Sequence, residues 1–555
     1  MHRRSDKPSA FLHVLAEYAR IARPRIPHAR GMEFRHLTGL VGSADIGVLY
    51  AMALCGLWLA CGVRRVPRTS WLLAPIVAGP VAAMALLVSL GGSLLTLTAL
   101  SRDARATDSL AAAVVAAVAG FCTGLSRARG VARERYVRGA RVARGPGWCR
   151  SALVRRRAGL QLAGAPIDPS DETRHFKIIG TTGTGKTTAI LALLHEAVAR
   201  GDAVVVSDPD SGYARELYDG VRGDVILNPF DPRSSRWDPF AECSGAPDAD
   251  HLARALIPDQ PGEDRSWRGY ARVLCAALIR RLLQAEPGQR SALHRLLVSA
   301  PAEELAVLLA DSAAAAYLSR DNARFLASVR AIAATHLAIF EFLAEPVGAA
   351  SISVRAWIRE AAHRPACLFL PYSATQIATL RAAISAWMRL AIFETMETPG
   401  TGRRVWFVVD ELDALGPIDG LKDALVRLRK FGGRCVLGLQ SIGQVTGSYG
   451  RFDAQTIVEN CANTLILRCS SGGPDGTSQF ASRLIGEREV LREQLSRTRQ
   501  GRLPCSSAAQ TTVLQRATEH AVLAAEIEQL PDFAGFLKLA SRPEWQRIDG
   551  DAWRP

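Results

Sequence analysis

The sequence predicts an α/β fold: a mainly parallel, wound sheet with an all-α insertion, preceded by apolar N-terminal helices. Three observations predict it. Short runs apolar on both faces, such as "VWFVV" at Val405–Val409, alternate with helical segments, as buried parallel strands flanked by helices do. From Asp248 to Ala344, apolar residues recur three and four apart with few β-branched runs, so this block reads as amphipathic helices throughout. Uncharged apolar stretches occupy Ile46–Val63, Ser70–Ser101 and Ser109–Ser126.

The N-terminal elements come first. Ser70–Ser101 is long enough to span a bilayer, and the other two stretches are near the lower length limit. The link Arg102–Asp108 holds two Arg and two Asp, and reads as the outer turn of a helical hairpin. From Arg127 to Arg157, eleven Arg stand against a single acidic residue, Glu134, in a chain of 555 residues with formal charge +15. Such a block seeks anionic lipid or nucleic acid. Its place directly after an apolar stretch favours the membrane reading, with the basic segment on the cytosolic side. Two spans are expected, and Ile46–Val63 is left open. If it spans, the eight Lys or Arg of residues 1–40 lie outside; if it does not, both termini are cytosolic. The expected division is a membrane anchor over 1–126, an Arg-rich linker over 127–159, a first α/β part over 160–247, the helical insertion over 248–344 and a second α/β part over 345–555.

Strands are expected at Phe176–Ile179, Asp202–Asp208, within Gly223–Asp231, and at Ala366–Tyr372, Val405–Val409, Cys435–Leu439 and Thr464–Leu467. The loop "RSSRWDPF" carries Trp237 as a packing anchor.

Chemistry concentrates after three of these strands. Gly180–Thr187, "GTTGTGKT", fits G-x-x-x-x-G-K-[ST], with a strand before it and a helix after it. That context defines a phosphate loop. Backbone N–H groups of Gly180, Thr181, Thr182, Gly183, Thr184 and Gly185 can curl around an anion, and the helix N-terminus adds a favourable dipole. Lys186 reaches the β- and γ-phosphates of ATP, the Thr187 hydroxyl ligates Mg²⁺, and Thr188 completes the loop. The strand Val405–Val409 ends in Asp410 and Glu411. Asp410 suits Mg²⁺, and Glu411 suits the general base that polarises the attacking water. Asp413 reads as a capping or solvated residue. The strand Cys435–Leu439 ends in Gln440, an amide able to sense the γ-phosphate or the water.

Eleven cysteines are scattered with no C-x-x-C pair, which excludes a zinc ribbon or a disulfide framework, and no His/Cys combination has metal-ligand spacing. Charged residues near Met1, with no short apolar core beside them, speak against a cleaved secretory signal.

The segments "TRHFKIIGTTGTGKTT", "DVILNPFDPRSSRWDPF", "SISVRAWI", "VVDELDAL", "GLQSIGQV" and "AVLAAEIEQLPDFAGFLKL" together resemble the type IV coupling proteins, the TraD/TrwB group of conjugative membrane ATPases, over roughly Leu160–Ile548. The resemblance implies a RecA-like motor domain with an all-α insertion and an N-terminal anchor in the bacterial inner membrane. It further implies a ring, expected as a homo-hexamer, that drives single-stranded DNA with bound relaxase toward a type IV secretion channel. Lys186 and Thr187 match the family's nucleotide-binding motif, Asp410 and Glu411 its second ATPase motif, and Gln440 its sensor glutamine. Ring ATPases often complete a site with an arginine from a neighbouring subunit, and Arg468 and Arg451 are the candidates. The third apolar stretch departs from the usual two-span hairpin. The sequence ends at Pro555 without the long acidic tail some relatives use to recruit the DNA-processing complex.

Two other readings compete. An FtsK-like double-stranded DNA translocase shares the motor and anchor, but usually adds a long linker and a winged C-terminal domain. An ATP-switched membrane receptor for protein substrates needs no DNA at all.

Overall fold

The computed structural model describes residues 51–55, 117–118, 134–143, 159–259, 264–343, 351–361, 364–397, 403–470, 473, 475–499, 508–550 and 553. Two compact units divide the chain, one of residues 1–134 with 492–514 and one of residues 135–491 with 515–555. The expected spans fall almost wholly outside the described residues; of them, 51–55 and 117–118 are helical.

The second unit is built on a ten-stranded sheet. Its strands in chain order are β1 (Val142–Ala143), β2 (Phe176–Ile179), β3 (Ala203–Pro209), β4 (Val225–Ile226), β5 (Cys367–Tyr372), β6 (Val405–Val409), β7 (Gly433–Leu439), β8 (Asn463–Ile466), β9 (Gly535–Lys538) and β10 (Trp545–Ile548). They lie side by side as β1-β10-β9-β8-β2-β7-β6-β3-β5-β4. From β8 to β4 every pairing is parallel, and β9 pairs antiparallel with both β8 and β10. Alternation along the strands explains the layers. Val405, Phe407 and Val409 of β6 enter one core, and Trp406 and Val408 enter the other. Both faces are therefore apolar, as a doubly covered parallel sheet requires.

One layer holds helix α1 (Lys186–Ala199), whose Ala189, Ile190, Leu193, Leu194 and Ala197 are buried against the sheet. On the other side stands the helical block, with α2 (Asp248–Leu256), α3 (Arg265–Leu283), α4 (Leu293–Val298), α5 (Ala302–Leu308) and α6 (Ala323–Leu337). Its cores join through α7 (Ile377–Glu397). Trp237 is the anchor of that junction: its ring meets Trp387 edge-on at 5.7 Å and its Nε1 donates to the buried Glu242 at 2.7 Å. Among the described residues one helical run, Arg320–Glu341, is long and apolar enough to cross a membrane by length and composition. Here it packs Leu326, Val329, Ala333 and Leu337 into the core of the block.

The strand expected within Gly223–Asp231 is Val225–Ile226. Pro229 follows, and the Asn228 Oδ1 accepts from the Phe230 N–H at 2.9 Å, so the chain turns instead of extending. The sequence reading missed Glu487–Arg499 and Ala508–His520, long strands that form a three-stranded sheet with Glu134–Gly139.

Candidate functional site

The parallel strands deliver their carboxyl ends to one edge of the sheet, where ligands of open α/β sheets bind. There β2 runs into the phosphate loop. Gly183 and Gly185 have φ of +77° and +105°, which only glycine adopts freely. The loop is tied on both flanks: the Gly180 N–H donates to the Leu439 carbonyl at 3.1 Å, and the Thr181 N–H to the Arg468 carbonyl at 2.9 Å. Lys186 is 6% exposed, and its Nζ donates to the Gly180 and Thr181 carbonyls at 2.8 and 3.2 Å. Burial lowers its pKa, opposed by the nearby Asp410 and Glu411. Thr182 and Gly183 are exposed at the loop tip, and Thr188 is half-buried in the first turn of α1.

Asp410 ends β6 directly beside the loop. Its Oδ2 accepts from Thr187 Oγ1 at 2.6 Å and from the Tyr213 hydroxyl at 2.9 Å. Its Oδ1 is buried and has no partner among the described residues. A buried anionic oxygen without a donor, next to a threonine hydroxyl, fits a divalent cation held at Thr187 and Asp410. Glu411 is half-buried. Burial first, then Asp410 and Asp413, raise its pKa above the ordinary carboxylate range. Gln440 Nε2 donates to Glu411 Oε1 at 2.5 Å, while Thr182 Oγ1 stands 3.4 Å from Gln440 Oε1. The structure thus brings the loop, Asp410, Glu411 and Gln440 into one cluster. Asp413 is half-buried, and its Oδ1 too has no partner among the described residues.

The two arginines lie differently. Arg468 sits beside its own phosphate loop, its side chain paired with Asp532 at 2.7 Å and with the Leu530 carbonyl at 3.3 Å. Arg451 is exposed as the first residue of the helix Arg451–Asn460.

Sequence reasoning missed Asp208 and Tyr213. The Asp208 carboxylate accepts from the Tyr213 and Ala214 N–H groups at 2.9 and 2.7 Å. This holds a turn whose Asp210 and Ser211 have φ of +54° and +56°. Burial pushes the Asp208 carboxyl up to about 6, against those N–H donors. The turn carries the fully buried Tyr213 to Asp410. The string "DPDSG" at 208–212 signals a tight turn after a strand; nothing in it signals that the next ring reaches Asp410.

Gly438 of β7 is what lets Asp410 approach. A Cβ there would stand 1.9 Å from the Asp410 carbonyl oxygen and 2.8 Å from its Oδ1. Gly438→Ala is therefore expected to cost about 1–3 kcal/mol or more of stability and to displace Asp410. Urea unfolding and Mg²⁺-dependent nucleotide binding should both worsen; an unchanged unfolding midpoint contradicts this packing.

Known proteins resemble this chain in sequence and fold. The family model for the type IV secretion-system coupling protein DNA-binding domain matches residues 159–549. Coupling protein TraD of Escherichia coli (strain K12) is 31% identical over 393 residues, 68% of this chain and 53% of that protein. The chain thus spans about half the length of that curated relative. Among solved structures, the unbound monoclinic form of the conjugative coupling protein TrwBdeltaN70 matches with a TM-score of 0.65 at 27% identity, covering 75% of this chain and 93% of that one. TrwB in complex with ADP and Mg²⁺ matches with a TM-score of 0.64 at 27% identity, covering 75% and 94%. With a family model over most of its length and a curated relative above 30% identity, the chain belongs to the type IV secretion-system coupling protein family.

Proposed function

We propose that this chain is a coupling ATPase of the bacterial inner membrane, which binds ATP with Mg²⁺ and pumps single-stranded DNA with bound relaxase toward a type IV secretion channel. One observation carries the reading: Thr187, Asp410, Glu411 and Gln440 converge on the mouth of a glycine loop at the active edge of the sheet. Relatives add support, since TrwB has been solved with ADP and Mg²⁺ and with the non-hydrolysable analogues GDPNP and ADPNP. We extend the reading to a homo-hexameric ring, with Arg451 or Arg468 the candidates for an arginine completing a neighbouring site. Arg451 is the freer of the two, because Arg468 is already paired within its own subunit.

The chemistry follows from the residues. Lys186 and the loop N–H groups beyond Thr181 hold the triphosphate; those of Gly180 and Thr181, expected to join them, instead donate to the Leu439 and Arg468 carbonyls. Thr187 and Asp410 would hold Mg²⁺, which would supply positive charge to offset the phosphates. Glu411 takes a proton from water as its oxygen attacks the γ-phosphorus, and the bond to the β-phosphate oxygen breaks to leave ADP. Gln440 donates to Glu411 and lies within reach of Thr182 at the loop tip, so a γ-phosphate arriving there would compete for this amide and its departure would restore the two contacts. The helix after β7, Ile442–Tyr449, begins two residues beyond this amide and can carry the change onward.

The test is the ATPase rate of the purified full chain with and without single-stranded DNA, across a salt series. Single-stranded DNA should bind with little sequence preference, raise the rate and lose affinity as salt rises, because phosphate contacts release counterions. Stimulation by duplex alone would favour the FtsK-like translocase. No response to any DNA would favour the ATP-switched protein receptor.

A further inference from the structure

The sheet order fixes which way a bound nucleotide must run. Glu411 and Gln440, which the proposed chemistry sets against the γ-phosphate, stand at the ends of β6 and β7 on one flank of the phosphate loop. The sugar and base then extend toward the opposite flank, the side of β8, β9 and β10. What stands there is an aromatic pair. Phe533 precedes β9, and Trp553 follows β10; their rings meet edge-on at 5.3 Å and 75°.

Both rings press on the loop itself. A Cβ on Gly185 would come within 2.8 Å of Phe533 and 2.9 Å of Trp553. The Phe533 N–H donates to the Thr184 carbonyl at 3.0 Å. Its backbone is held at φ +64°, which costs a phenylalanine of order 1–3 kcal/mol and persists only where the surroundings impose it. Such strain gathers at ligand clamps. The surroundings here are Asp532 and Leu530, both gripped by Arg468, whose carbonyl in turn holds Thr181. The segment 530–533 is thereby tied to the loop at both Thr181 and Thr184. Phe533 as a residue is partly exposed. Trp553 behind it is 9% exposed, with an indole N–H that has no partner among the described residues.

Resting on the proposed ATPase reading, we infer that Phe533, braced by Trp553, is the platform on which the nucleobase of the bound nucleotide stacks. A lone ring face reads any base, since every base has a π-face. The site therefore selects a nucleoside triphosphate over bare phosphate chains, without separating adenine from guanine through this residue.

The experiment measures binding of ATP, GTP and inorganic triphosphate to the full chain, as wild type, Phe533→Leu and Phe533→Tyr. Leucine keeps apolar bulk and the backbone bond to Thr184, but has no π-face; tyrosine keeps the face. Phe533→Leu should weaken ATP and GTP about tenfold alike, the lower part of the range for base–aromatic stacking. Inorganic triphosphate should bind it as it binds the wild type, and Phe533→Tyr should bind ATP normally. Equal loss of ATP and triphosphate in Phe533→Leu would make the ring a brace of the loop and overturn the platform. Unchanged ATP affinity in Phe533→Leu would overturn it too. A wild-type chain that binds neither ATP nor triphosphate would overturn the ATPase reading itself, and the platform with it.

Discussion

Glu411→Gln is expected to bind ATP at wild-type affinity and to hydrolyse it about 10²–10⁴-fold more slowly, the usual contribution of a general base. The substitution is nearly isosteric, and the amide oxygen at position 411 can still accept from Gln440 Nε2, which donates to Glu411 at 2.5 Å. Geometry is kept and only the proton acceptor is lost. The surroundings of Glu411 suit it to proton abstraction, because burial, Asp410 and Asp413 all push its pKa above the ordinary carboxylate range, toward working pH. A base whose pKa is raised loses its active, unprotonated form as pH falls through that raised value. The wild-type rate should therefore fall on the acid side at a pH above that of an ordinary glutamate, and Glu411→Gln should lack this limb. Single-turnover hydrolysis across pH checks both statements. Near wild-type rates in the variant would remove Glu411 from the chemistry.

The parts of this site legible in the sequence are those written contiguously. The glycine loop announces itself because its backbone conformation demands glycine at 183 and 185, and because strand and helix flank it within a few residues. Asp410, Glu411 and Gln440 are readable as the first polar residues after apolar runs, a consequence of strands buried on both faces. Tyr213 and Phe533 are not readable. Each acts through a turn, at φ values for Asp210, Ser211 and Phe533 that residue type does not foretell. Each also touches a partner far away in sequence, Asp410 in one case and Thr184 in the other. The missed strands Glu487–Arg499 and Ala508–His520 fail for another reason. Their charges, such as Arg488 paired with Glu519 at 2.8 Å, break any apolar alternation, and strand pairing supplies what burial does not.

Lys186→Ala is expected to weaken ATP binding roughly 10–100-fold, the equivalent of one charged hydrogen bond at about 1.5–3 kcal/mol. The ammonium now fills a slot between the Gly180 and Thr181 carbonyls, which it must be able to leave for a phosphate oxygen at little cost. Its two carbonyl bonds are a placeholder of that kind, holding the charge at the mouth of the loop before the nucleotide arrives. Arginine should not substitute: a planar guanidinium cannot enter a slot shaped for a compact ammonium, so Lys186→Arg should bind as poorly as the alanine variant. Stability should move the other way. Burial lowers the Lys186 pKa, which means the folded state bears a cost for that charge that Asp410 and Glu411 offset only in part. Deleting the side chain lifts this cost, so the unfolding midpoint of the nucleotide-free protein should hold or rise while affinity falls. That opposition separates a functional lysine from a structural one. Equilibrium binding of ATP and urea unfolding on the same variant decide it. Wild-type affinity, or a loss of binding that merely follows a loss of fold, would take Lys186 out of the nucleotide site.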